Sequence, residues 1–392
     1  MGTRISTVRS TASANTSAVF QQLAAGLSGE PPKLVMVFCS TDCPLEQLMA
    51  AAAKAMPGAT ALGCTTAGEF TEAGDTKGAY VAWALGGDDV NVTAGLGLGL
   101  KENAEAALMQ AVKEPPEDKD RPHRTAILLL DPLSGNGEEA ALIASTVLGP
   151  TVRLAGGAAG DDLKFARTLV ACGNQVAHDA VVVAVIASKR PLGIGVNHGH
   201  KPLSRPLTVT RASGNVVHEL DGRPAFEVWK DEVRSAAAAN GVKIDDVAAK
   251  DIGAHLLRYE LGMIAGPKDY KIRAPLSVGE GGAVSFACGI PEGAVVRVTS
   301  SAEADQITSA RAAAERARKG LGGAKVAGAL VFDCICRNLI LGSKFADAVN
   351  EIHQGLGGAP VAGFETYGEI AMDLGQSSGF HNTTTVVLAF PA

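Results

Sequence analysis

Gly63-Cys64-Thr65-Thr66-Ala67-Gly68-Glu69-Phe70 and Gly363-Phe364-Glu365-Thr366-Tyr367-Gly368-Glu369-Ile370 are one phrase written twice. The shared pattern is G-x-x-T-x-G-E followed by an aromatic or aliphatic residue. It aligns Gly63, Thr66, Gly68 and Glu69 with Gly363, Thr366, Gly368 and Glu369. Each copy follows an apolar stretch and a proline break, Met56-Pro57-Gly58 in one case and Ala359-Pro360 in the other. A distant repeat of this kind predicts two related halves, each presenting the same loop. Glycine-bounded loops that carry Thr and Glu are ligand-facing more often than core segments are.

Outward from the repeats, strand-length and helix-length patterns alternate. Lys33–Cys39, Thr60–Gly63, Thr125–Leu130, Val176–Ala187, Val326–Phe332, Ala359–Gly363 and Thr383–Phe390 read as strands. Gly78–Leu85 and Val90–Leu100 read as a meander, and Leu207–Leu220 as two paired strands turning at Ser213-Gly214-Asn215. Helices are predicted over Pro44–Ala55, Asn103–Val112, Glu138–Leu148, Glu303–Lys319 and Ser343–Gln354. Residues 1–15 read as a mobile or edge segment. The alternation predicts an α/β class with α+β elements, mixed sheets and flanking helices. The boundaries are an N-terminal extension over 1–32, one domain over 33–223 and a second over 224–392.

The chain has 392 residues, enough for two domains, with 46% apolar and 19% charged residues. Its formal net charge of -6 and pI near 5.8 argue against nucleic acid as a partner. No apolar run is long enough to cross a membrane, and no secretory leader is recognisable at the start, so the expectation is a cytoplasmic protein without a membrane span. The seven cysteines form no compact framework and are expected as free thiols.

Six motifs in order carry a family resemblance. They are Gly63–Glu69, Ala155-Gly156-Gly157-Ala158-Ala159-Gly160-Asp161-Asp162, Gly195 with His198-Gly199, Val209-Thr210-Arg211-Ala212 with Asp221-Gly222 and Pro224-Ala225, Phe332 with Cys334 and Arg337, and Gly363–Ile370. Together they resemble the FIST sensory proteins, the FIST N part running to about Arg223 and the FIST C part following it. The resemblance implies a signal-input module that binds a small ligand and passes a change of state to a partner. The partners it implies are a histidine kinase or a cyclic-di-GMP enzyme. It further points to the stand-alone, haem-binding, nitric-oxide-sensing subgroup. One departure is His198-Gly199-His200, where the family usually has His-Gly-Trp or similar.

The candidate residues each admit two roles. Two imidazoles flanking one glycine, His198 and His200, share a face if the segment is extended. They either supply a haem or metal ligand or hydrogen-bond to the backbone. His178, His218 and His381 are further candidates. Cys334 and Cys336 share a face on the same reasoning and form a possible thiolate site, or else are inert buried thiols. Cys64, between glycines, is the reactive-thiol candidate. Arg337 holds a carboxylate ligand or a haem propionate, or makes an internal salt bridge to Glu69, Glu365 or Glu369.

Catalytic signatures are weak. Ser134 lacks the nucleophile elbow, Glu138 and Glu139 fit a helix start, and Gly156–Gly160 and Leu192-Gly193-Ile194-Gly195 match no phosphate loop. The expectation is therefore a sensor and not an enzyme. Its pocket would lie between the halves, lined by Cys64, Thr65, Thr66, Glu69, Arg337, Thr366 and Glu369, with His198 and His200 beside it. The ligand would be haem with a bound gas, or alternatively an amino acid or other small carboxylate.

Overall fold

The computed structural model of the protein describes residues 2–135, 137–247, 251–266, 269–372 and 379–392. Its first unit runs β1 (Arg4–Thr11), α1 (Thr16–Ala25), β2 (Pro32–Cys39), α2 (Leu45–Ala55), β3 (Thr60–Thr65), a hairpin of β4 (Glu69–Thr71) and β5 (Gly74–Thr76), and β6 (Ala79–Gly86). The same order then recurs: β7 (Val90–Leu98), α3 (Ala104–Ala111), β8 (His123–Leu130), α4 (Gly137–Leu148), β9 (Arg153–Ala158), the hairpin β10 (Val170–Cys172) and β11 (Gln175–Ala177), and β12 (Ala180–Ser188).

A third unit opens with β13 (Gly193–Asn197) and is interrupted by an insertion. The insertion comprises β14 (His200–Pro202), β15 (Leu207–Ser213), β16 (Val216–Leu220), β17 (Arg223–Pro224), α5 (Ala225–Ala239), α6 (Gly253–Arg258), β18 (Leu261–Gly266), β19 (Asp269–Arg273), β20 (Pro275–Val278), β21 (Val284–Phe286) and β22 (Val295–Ser301). The unit resumes with α7 (Glu303–Lys319), β23 (Val326–Cys334), α8 (Ile335–Leu341), α9 (Phe345–Gly355), β24 (Val361–Thr366), the hairpin β25 (Glu369–Met372) and β26 (Phe380–His381), and β27 (Thr385–Pro391).

The class is mixed α/β, as the alternation predicts, but the repeat is threefold. In each unit the second and third long strands are parallel: β2 with β3, β8 with β9, β23 with β24. The closing strand lies antiparallel to the second, and the opening strand antiparallel to the closing one. Each short hairpin leaves its own unit and extends a neighbour's sheet. β4 pairs with β24, β25 with β9, and β10 with β3, which closes a ring of exchanges. The insertion makes a fourth, antiparallel sheet. Residues 4–11 are an ordered edge strand of the first sheet, one of the two roles expected of them.

The inner faces of the three repeated sheets share one core. It brings Phe38 and Trp83 together with Ile127 and Val182, and with Phe332, Phe364 and Phe390. The outer faces carry helices: α1 and α2, α3 and α4, α7 and α9. Sheets buried on both faces need near-continuous apolar strands, as β6 and β12 show. The β-branched run read as one strand over Val176–Ala187 is split where Asp179 takes φ 46°, turning β11 into β12. No helix among the described residues is long and apolar enough to cross a membrane.

Candidate functional site

The repeated corners follow β3, β24 and, in a degenerate third copy, β9. That copy reads Ala155-Gly156-Gly157-Ala158-Ala159-Gly160-Asp161, with Ala158 in place of threonine and Asp161 in place of glutamate. The three corners converge and bond to one another in a ring. Ala67 N donates to Glu365 O at 3.1 Å, Tyr367 N to Ala158 O at 3.3 Å, and Gly160 N to Thr65 O at 2.9 Å.

The junction is solid. A Cβ at Gly157 would lie 2.6 Å from Thr366 Cγ2, one at Gly160 would lie 2.6 Å from Ala67 N, and one at Gly68 would lie 2.7 Å from the Glu365 carboxyl. The glycines at these corners thus make room for neighbouring side chains and, at Gly160, for another backbone, and Thr66, Glu69, Thr366 and Glu369 are buried there. Thr66 donates to Glu69 and Thr366 to Glu369, so each Thr/Glu pair closes its own corner. Thr65 accepts from Leu169 N at 2.9 Å and pins the neighbouring hairpin. Cys64 points into the shared core, where burial pushes its thiol well above the ordinary range. It has the surroundings of an inert thiol, contrary to its reading as the reactive one.

Burial also raises the carboxyls. Glu69 is pushed up to about 9 by desolvation, reinforced by Asp162 and Glu365 against the lowering effect of Thr66. Glu365 is pushed to about 8, again by desolvation first, with Asn338 donating to it. Glu369 and Asp333 are raised by the same cause.

Arg337 lies at the edge of this seam and is fully buried. Its Nε donates to Asp333 at 2.7 Å, Nη1 to Gln306 and, at 3.1 Å, to Ser309, and Nη2 to the Gln306 carbonyl at 3.0 Å. The internal salt bridge expected of it exists, but with Asp333, four residues earlier, where the turn from β23 into α8 brings the two together. It does not reach Glu69, Glu365 or Glu369. Cys334 and Cys336 do not alternate along a strand, because α8 begins between them.

His198 and His200 lie at the junction of the third unit and the insertion. Their rings are 5.9 Å apart at 55°. His198 Nδ1 accepts from His200 N at 3.2 Å and the ring also meets the Tyr270 backbone. Burial, then the neighbouring His200 and His381, lowers His198 to about 3. His200 Nε2 stands 3.2 Å from Glu260 Oε2, both side chains fully buried. An axial haem ligand needs a ring nitrogen facing an open slot. The His198 ring is hydrogen-bonded on both sides, and the His200 ring, whose nitrogens make no hydrogen bond, is sealed against Glu260 with no open slot beside it, so as placed they do not fit a haem. No set of three or more His, Cys, Asp or Glu side chains disposed around a metal position occurs among the described residues.

The space lies elsewhere. A cleft of about 600 Å³ separates the insertion from the second unit. Glu138, in the first turn of α4, forms one wall. Arg273 and Lys271 at the end of β19, and Glu292 after β21, form the charged part of the other. Met263, Ile290 and Pro291 supply apolar lining. This is the position outside the carboxyl end of a parallel strand, β8, where α/β sheets commonly bind ligands.

The equivalent positions of the other units are filled. In the first, Asp162 accepts from Ser40 Oγ and Thr41 N, both at 3.0 Å. In the third, Arg337 and its partners occupy the place. Arg273 is 1% exposed, bridges to Glu138 at 2.5 Å and leaves its Nε without a hydrogen-bond partner. A buried guanidinium with an unmet donor is costly unless something completes it.

Of the candidates drawn from sequence, Thr66, Glu69, Thr366 and Glu369 come together, but in a solid seam and not in the lining of the cleft, while Cys64 lies in the core, Arg337 at the seam's edge, and His198 and His200 at the insertion. Sequence reasoning passed over Arg273, although Lys271 and Arg273 alternate with the apolar Ile272. It took Glu138 for a partner of the helix dipole only.

Comparison with known proteins agrees with the ordered motifs. The FIST N domain pattern matches residues 33–223 and the FIST C domain pattern residues 225–372. An uncharacterized protein of Methanocaldococcus jannaschii is 35% identical over 77 residues, which are 20% of this chain and 15% of that protein's length.

Proposed function

Since this chain belongs to the FIST family, whose domains are associated with small-ligand sensing in signal transduction, we propose that it is a sensory input protein whose ligand occupies the cleft between the insertion and the second unit. The observation that carries the reading is Arg273, buried on the cleft with a free Nε. Two cations, Arg273 and Lys271, share the cleft with two carboxylates, Glu138 and Glu292, and with apolar side chains beside them. That set suits an amino acid, or another small carboxylate, of which the carboxylate meets the guanidinium in bidentate fashion. The ammonium of an amino acid would meet the glutamates, and its side chain would meet Met263 and Ile290.

The Arg273–Glu138 bridge joins the insertion to α4. A ligand carboxylate that takes over part of Arg273 weakens this bridge and shifts how the two bodies sit. Such a shift signals only to the extent that the ligand binds the two arrangements unequally. A histidine kinase or cyclic-di-GMP enzyme would read the change.

A haem-based nitric oxide sensor is the weaker reading, because His198 and His200 are engaged with backbone and with Glu260. It would gain support from a nitric-oxide-sensitive Soret band lost on changing His198.

The test is thermal unfolding against a panel of amino acids and small carboxylates. A ligand at a hundred times its Kd stabilises by about 2.7 kcal/mol. The expected result is a hit whose stabilisation disappears in Arg273→Ala and persists in Arg211→Ala, a change at an exposed surface pair. A hit unaffected by Arg273→Ala contradicts the cleft.

A further inference from the structure

The seven cysteines differ in burial and in their neighbours. Cys39, Cys43, Cys64 and Cys288 are buried, and the first two face backbone carbonyls, Cys39 that of Cys43 and Cys43 that of Ala79. Cys172 is partly exposed, on a hairpin strand. Cys334 and Cys336 differ from all of these. Cys334 is the last residue of β23 and is 3% exposed. Cys336 stands in the first turn of α8 and is partly exposed. The two residues neighbour one another across the start of α8, and the Cys334 thiol also lies beside Glu369. One residue of the pair is thus partly exposed and the other is buried.

We propose that Cys334 and Cys336 are a dithiol–disulfide exchange site, oxidised by small-molecule disulfides to an intramolecular Cys334–Cys336 bond. Residues two apart at a strand-to-helix bend have Cα atoms about 5–7 Å apart, within the usual disulfide span. The accessible sulfur of Cys336 attacks the small disulfide. A new S–S bond forms, the old one breaks, and one thiol leaves with the proton that Cys336 gives up. Cys334 then attacks the Cys336 sulfur. The mixed disulfide breaks, and the second thiol leaves with the proton from Cys334. Two protein thiols and one small disulfide become one protein disulfide and two small thiols. The order follows from access, since only Cys336 is reachable from solvent.

The bond would act on the seam described above. Arg337 follows Cys336 directly and ties α8 to α7 through Gln306 and Ser309. Asn338 is the next residue and donates to Glu365. Drawing Cys336 onto Cys334 alters the first turn of α8, and with it the contacts that hold the third unit's helices together.

The experiment treats the full chain with oxidised glutathione and maps its thiols by mass spectrometry after proteolysis. The expected product is a peptide bearing the Cys334–Cys336 bond, lighter by two hydrogens. In Cys334→Ser, Cys336 should keep glutathione as a mixed disulfide. In Cys336→Ser, Cys334 should remain a free thiol. The proposal is overturned if Cys336 stays unmodified in the native chain while Cys172 is modified. It is also overturned if the native chain retains glutathione on Cys336 without resolution. Ligand binding in the cleft is not needed for any of these readings, so the two proposals fail separately.

Discussion

Arg337 shows how far one residue's chemistry is settled by its neighbours. Its guanidinium is fully buried and paired with Asp333, whose carboxyl is raised by burial against the lowering pull of Arg337. Removing one partner of such a pair leaves an uncompensated buried charge and costs about 3–5 kcal/mol. Arg337→Met is therefore expected to lower the denaturation midpoint strongly, with part of the loss regained in Arg337→Met/Asp333→Leu. Equal losses in the two variants would mean that Asp333 is not left stranded.

The raised carboxyls give a second prediction with a definite sign. Glu365 and Glu69 move from 4.5 up to about 8 and about 9. Below pH 4.5 both folded and unfolded chains hold these protons, and the neutral forms are at home in the fold. Above it the unfolded chain releases them first, so stability falls as pH rises towards 8 and 9, by at most about 1.4 kcal/mol per pH unit per group. Urea titrations across this window should show the decline, and Glu69→Gln or Glu365→Gln should flatten it. A stability that rises through the window would contradict the burial argument. At this scale the sequence singled out Thr66, Glu69, Arg337, Thr366 and Glu369 as lining a ligand pocket, whereas in the structure their side chains are buried and bonded within the protein. What it could not show is that the corners carrying them bond to one another through the backbone, because that depends on three distant segments meeting.

At the scale of elements, small residues set how closely helices approach strands. A Cβ at Gly195 would lie 1.9 Å from Ala313 O, and one at Gly193 1.8 Å from Ala317 O, on α7. The second unit repeats the device, with Gly97 against Ala107 O at 1.8 Å and Gly95 against Ala111 O at 2.5 Å on α3. The Gly193-Ile194-Gly195 run that matched no phosphate loop is thus a packing signature. Gly195→Val should force β13 and α7 apart and cost about 1–3 kcal/mol or more, read as a lower melting temperature. An unchanged melting temperature would show that the contact is not tight.

Long elements were legible because their periodicity is local. The helix read over Glu303–Lys319 has those bounds, and the strand read from Val326 runs two residues past Phe332. The errors fall where a bend interrupts a pattern. Asp179 breaks a β-branched run, and the start of α8 at Ile335 takes Cys336 out of the strand that carries Cys334.

The whole molecule is a ring of three units that exchange hairpins, with a fourth sheet inserted between β13 and α7. Two copies of the corner phrase were visible in the sequence, and the third was not. Its threonine and glutamate are replaced by Ala158 and Asp161, and Asp161 now accepts from Phe165 N, Ala166 N and Arg167 N at 2.6–2.9 Å. The insertion hid the third unit further, by separating its opening strand from its helix.

In the second unit only a short link joins β7 to α3. Replacing residues 198–302 by a link of that length should leave a folded three-unit core with cooperative unfolding and no ligand response. A molten product would mean that the insertion is part of the core's own stability. The cleft, by contrast, was not legible at all. It arises where the insertion meets the second unit, and no local pattern marks such a meeting.

Amide hydrogen exchange of the full chain, with and without the strongest stabilising compound from the amino-acid and carboxylate panel, tests the central claim most directly. The account expects added protection at the start of α4 around Glu138, along β19 at Lys271 and Arg273, and in the 289–292 turn. Protection confined to the Thr66–Glu69 and Thr366–Glu369 corners, with none at the cleft, would contradict it.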